Sequence, residues 1–84
     1  MAATLSASVA AGAESATVAT NPNQVFSVQT DKPVLVQSQN VQSGRWNTIG
    51  RVEGHDESAS FIAPGESVRI RNEGSDAAEI EVFV

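Results

Sequence analysis

Eighty-four residues with a formal net charge of −5 and no cysteine make one domain at most, and they exclude disulfides, thiolate nucleophiles and zinc–thiolate sites together. Eleven of the 22 large apolar residues are valines, so the core must be built from small β-branched side chains, and so thin a core favours burial against a partner or against further copies of the chain. The five basic residues, Lys32, Arg45, Arg51, Arg69 and Arg71, are scattered, which leaves no patch for a run of phosphates and argues against nucleic acid as a partner.

The first 20 residues, MAATLSASVAAGAESATVAT, include 14 that are Ala, Ser or Thr. They lack the positive start and unbroken apolar stretch of a secretory leader. No segment of the chain approaches the roughly 20 apolar residues of a membrane-spanning helix, so a soluble product made in a cytosol is expected, with no membrane partner. Leu5, Ala7 and Val9 alternate with Ser6 and Ser8, and Ala16 and Val18 alternate with Ser15 and Thr17, which is strand periodicity. Residues 1–20 therefore read as an arm or as edge strands, and residues 21–84 as a β-sandwich core. Small side chains let such strands lie close to another sheet, which makes Leu5, Val9 and Val18 candidates for an inter-subunit contact.

Asn21-Pro22-Asn23 is turn chemistry. Strands are then predicted over 24–30, with Phe26 and Val28 on one face, over 34–39, and over 45–52, where Gly50 suggests a bulge or a close backbone approach. Residues 53–57 read as an acidic loop, and 58–63 as a short strand ended by Pro64-Gly65. The last two predicted strands, 67–72 and 78–84, flank Glu73-Gly74-Ser75-Asp76 and suggest a hairpin. Its register would place Arg71 opposite Glu79 and Arg69 opposite Glu81 on the outer face. Ile70 would then meet Ile80, and Val68 would meet Val82, on the inner face. Phe83 shares the face of Glu79 and Glu81, so its ring is a candidate anchor at a subunit interface. Seven or eight short strands at about ten-residue spacing, with no helix, predict an all-β antiparallel sandwich, jelly roll or small barrel.

The chemistry is sparse. His55 stands in Glu53-Gly54-His55-Asp56-Glu57, but a transition-metal site wants further nitrogen or sulfur ligands and none is available, so a solvated loop is the expected reading. No serine sits in a Gly-x-Ser-x-Gly elbow, and no glycine loop with a lysine is present to cradle phosphate. No catalytic, metal or cofactor-binding residue is assigned, and a non-enzymatic protein is expected. Trp46 is the sole tryptophan and is expected at the centre of the core. Exposed beside Arg45, it would instead form the ligand contact of a carbohydrate-binding or adhesin-type module, with the Asn/Gln-rich loops 21–24 and 40–47 around it.

The ending APGESVRIRNEGSDAAEIEVFV, with the overall style of the chain, resembles small structural proteins of tailed bacteriophages, of which head decoration or capsid cement proteins are the nearest type. The resemblance implies a virion protein assembled in the host cytoplasm. Such a protein forms a homo-oligomer, often a trimer, that stabilises a capsid shell by bridging its subunits. Tail or fibre components share the same style.

Overall fold

The computed structural model describes residues 3–54 and 58–84. All regular structure among them is β: β1 (Leu5–Val9), β2 (Val18–Ala19), β3 (Val25–Thr30), β4 (Val34–Gln39), β5 (Trp46–Val52), β6 (Ser58–Ile62), β7 (Ser67–Arg71) and β8 (Ala78–Phe83). The last six lie within one or two residues of the predicted bounds, because each is an alternating run closed by Pro, Gly, Asn or Asp.

Two four-stranded antiparallel sheets result, one ordered β1-β8-β3-β6 and the other β2-β7-β4-β5. The pairing follows one rule. β4 pairs with β5 and β2 with β7 in the second sheet, while β3 pairs with β6 and β1 with β8 in the first. The chain is thus a single antiparallel ribbon turned back between β4 and β5 and wound so that successive segments fall on opposite sheets. Contacts of β3 with β8 and of β4 with β7 close neighbouring windings. This is a jelly roll, also called a double-stranded β-helix, with β1 and β6 at the edges of one sheet and β2 and β5 at the edges of the other.

Strand periodicity fills the space between the sheets. The first sheet contributes Val9, Phe26, Val28, Ala78, Ile80 and Val82 to the core, and the second contributes Val18, Val34, Val36, Val52, Val68 and Ile70. Burying such a side chain contributes about 1.5–3 kcal/mol, and eight of these twelve are valine, whose β-branched side chain suits a pleated, half-buried surface. Residues 5–9 and 18–19 are edge strands, one in each sheet, and Val9 and Val18 are only 3 % and 4 % exposed.

The hairpin expected between β7 and β8 does not form. β7 lies in the second sheet and β8 in the first, with residues 72–77 crossing from one to the other. Val68, Ile70, Ile80 and Val82 face one another across the core instead of along a ladder, which satisfies the same parity of side chains. The crossing is held by Asn72, which is fully buried. Its Nδ2 donates to the carbonyls of Val9 at 2.9 Å and Asp76 at 2.7 Å, and its Oδ1 accepts from the Gly74 amide at 2.9 Å.

β5 carries the expected irregularity. Val36 pairs with Gly50 but Gln37 pairs with Thr48, so Ile49 is an extra residue in a β-bulge. The bulge reverses the facing of the strand: Gly50 and Val52 turn inward, while Trp46 and Thr48 turn outward. Trp46 is therefore half-buried on the outer face and not, as its singularity suggested, in the core. Gly50 has its own reason: a Cβ there would stand 2.2 Å from Cε1 of Phe61. The Phe61 ring occupies that space and packs on Phe26 with centroids 5.7 Å apart.

Candidate functional site

Three surfaces carry the chemistry of the molecule. On the outer face of the second sheet, Arg69, Gln37 and Thr48 sit abreast on β7, β4 and β5. The Arg69 guanidinium crosses Gln37, donating from Nε to its Oε1 at 2.9 Å, and lies over the Trp46 ring at 4.3 Å from the centroid. Its other edge lies 3.6 Å from Oε1 of Glu14, which also accepts a hydrogen bond from Arg71. Arg71 bonds Glu73 at 3.0 Å in turn. Its pKa is raised above the ordinary value of a guanidinium, chiefly by that hydrogen bond and next by the charge of Glu14. The two arginines thus pair with Glu14 and Glu73 in place of the expected Glu79 and Glu81.

The Arg45 and Trp46 pair is not assembled as one site. Arg45 is exposed in the turn before β5, where its amide donates a hydrogen bond to Ser43 Oγ. Adjacent residues of an extended chain point opposite ways, and the cation that stacks on Trp46 comes from β7, 23 residues further along the sequence.

On the outer face of the first sheet, Val25 stands directly opposite Ile62, and Ser27 lies between Ser60 and Phe83. The Ser27 and Ser60 hydroxyls bond one another at 3.1 Å. Val25 and Ile62 are 60 % and 64 % exposed, and Phe83 beside them is half-buried. None of these five side chains is charged. Glu79 and Glu81 lie on the same face toward its other end, abreast of Ser8 and Ser6. Of the interface candidates named from sequence, Phe83 is on this face. Leu5 is half-buried against the core, and Val9 and Val18 are inside it, because their alternation serves the chain's own sandwich. Val25 and Ile62 escaped the sequence reading, although Val25 is out of phase with Phe26 and Val28, which is the signal that turns it outward.

The third feature is a pair of hollows at opposite ends of the sandwich. One of about 380 Å³ lies beside the β3–β4 and β7–β8 connections and carries charges of both signs, from Lys32, Arg51, Glu73 and Asp76. The other, about 390 Å³, lies under the β4–β5 turn and has no charged residue in its lining. His55, Asp56 and Glu57 of the acidic loop lie outside the described residues. Among the described residues, no group of three or more His, Cys, Asp or Glu is placed to hold a metal ion.

No known protein family matches the chain, and neither does any curated protein. Among solved structures, the chain is similar to a de novo designed double-stranded β-helix determined by solution NMR. The two share 21 % identity over 94 % of each chain, with a TM-score of 0.63. That likeness concerns the fold and reaches no functional residue. A double-stranded β-helix is the architecture that the strand order of this chain defines.

Proposed function

We propose that this jelly-roll domain is a non-enzymatic structural subunit that associates with further copies of itself, in the manner of the capsid-decoration proteins its sequence resembles. The fold alone does not select a function. The observation that carries the reading is the Val25, Ile62 and Phe83 patch. Two aliphatic side chains more than half exposed and directly opposed on a sheet, with the half-buried Phe83 one register row away opposite Ser27, are an exposed apolar feature of the kind that marks protein contacts.

A second copy is the occupant the reading commits to. Each copy carries a net charge of −5, so copies repel, and the Val25 and Ile62 end of the face, away from Glu79 and Glu81, is where they approach at least cost. A carbohydrate platform at Arg45 and Trp46 has less support, because the Arg69 guanidinium already covers one face of the indole. The test is the solution mass by light scattering behind a sizing column across a range of concentrations. The wild-type chain should form a closed oligomer, while Val25→Ser and Ile62→Ser, both at exposed positions, should stay folded and weaken association about tenfold or more. A wild-type monomer at every concentration, or an oligomer indifferent to both substitutions, overturns the reading.

A further inference from the structure

β6 is the last strand of the first sheet, and among the described residues no strand pairs with its outer side. The hydrogen bonds at its end show which backbone groups are left over. In an antiparallel pair, alternate residues direct both their amide and their carbonyl at the neighbour. Ala63 does so toward β3: its amide donates to the Gln24 carbonyl at 2.8 Å, and its carbonyl accepts from the Asn23 amide at 2.7 Å. Counting back along the register, Phe61 and Ala59 bond Phe26 and Val28, and the amides and carbonyls of Ser58, Ser60 and Ile62 point away from the sheet. β3 gives the same parity from its other side. The Asp31 amide donates to the Glu79 carbonyl at 3.3 Å, which directs Ser27 and Gln29 at β8 and leaves Phe26 and Val28 for β6.

The other three edges are less suited to a further strand. β2 has two residues, and β5 carries the bulge and Arg51, features that blunt an edge. β1 lies against β8, with Glu79 and Glu81 abreast of Ser8 and Ser6, so a second copy added there would bring like charges together. β6, Ser58–Ile62, has no charged residue, no proline and no bulge, and β3 separates it from the glutamates of β8.

From this we infer that β6 pairs with β6 of a second copy across a two-fold axis, so that the first sheets of the two copies join into one antiparallel sheet. The inference rests on the self-association proposed above and gives it a geometry. With Ser60 on the axis, Ser60 pairs with Ser60 of the second copy and Ser58 with its Ile62, and every outward amide of the strand meets a carbonyl. A register shifted toward Pro64 would set Ser58 opposite a residue without an amide. On the inner face Phe61 meets Ala59 of the second copy, and on the outer face Ile62, with Val25 behind it on β3, lies at the seam.

The test is amide hydrogen exchange, followed residue by residue by NMR on the labelled full chain. It compares a concentration where light scattering shows the oligomer with a dilution, or the Ile62→Ser chain, where it shows the monomer. The Ser60 amide should exchange about tenfold or more slowly in the oligomer than in the monomer, and the wild-type Ile62 amide likewise, while those of Ala59 and Phe61 are slow in both. Ser60→Pro removes the outward amide on the axis and no bond to β3, a place where an edge strand accepts proline. It should fold cooperatively and weaken association about tenfold or more, whereas Ser60→Ala should associate as the wild type does. If Ser60→Pro fails to fold, the wild-type exchange decides. An oligomer whose Ser60 and Ile62 amides exchange as fast as in the monomer overturns the edge pairing and leaves association through the face of the sheet. A monomer at every concentration overturns both.

Discussion

Asn72→Ala tests how the ribbon is held where it crosses between sheets. The wild-type carboxamide makes three hydrogen bonds, to the carbonyls of Val9 and Asp76 and from the amide of Gly74, and it is wholly out of contact with solvent. Each such bond contributes about 0.5–1.5 kcal/mol net, and an unpaired buried group costs more, so the substitution should remove about 3 kcal/mol. For a domain of this size that corresponds to a fall in melting temperature of about 12–24 °C. Asn72→Asp should cost more still at neutral pH, because it places a carboxylate against two carbonyl oxygens without the donors they need. Urea unfolding followed by circular dichroism reads both values. A loss below about 1 kcal/mol for Asn72→Ala, with unchanged cooperativity, would refute the idea that this side chain ties β1 to the β7–β8 crossing.

Gly50→Ala puts a methyl group where the Phe61 ring lies, so it should destabilise by about 1–3 kcal/mol. Combining it with Phe61→Leu should recover part of that loss as a coupling energy in a double-mutant cycle. Trp46→Ala removes a half-buried ring and its cation–π contact, and should cost about 1–2 kcal/mol while leaving a cooperative fold; complete unfolding would return Trp46 to the core. Deleting residues 2–19 removes one edge strand from each sheet along with Val9 and Val18, and the shortened chain should fail to fold, as its circular dichroism would show. A folded truncation that merely fails to assemble would mean that the segment is an arm after all.

Strand positions were legible because each is a short alternating run bounded by turn residues, and the inward parity of Phe26, Val28, Val68, Ile70, Ile80 and Val82 followed from period two. The pairing partners were not. Arg69 and Arg71 match Glu79 and Glu81 in sequence, but Glu14 and Glu73 satisfy the same charges, and one of these lies 55 residues before Arg69. Local charge pairing is weak enough that winding the ribbon around a shared core decides the outcome. Trp46 was misplaced for a related reason. Gly50 marked a bulge, but the reversal of facing it imposes on the residues before it depends on Ile49 being the extra residue, which only the register with β4 reveals. The uncharged hollow was likewise hidden, since it is made by β4, β5 and the β6–β7 turn together.

The strand order is what places the Val25 and Ile62 patch, the Trp46 stack and the uncharged hollow on separate surfaces. It is tested most directly by cross-strand backbone contacts in the NMR spectrum of the labelled chain. The account predicts close approach of Ile80 to Ala7 on one side and to Thr30 on the other, with Ile70 paired to Val36. Backbone contacts of Ile70 with Ile80 and of Arg69 with Glu81, the signature of a β7–β8 hairpin, would contradict it.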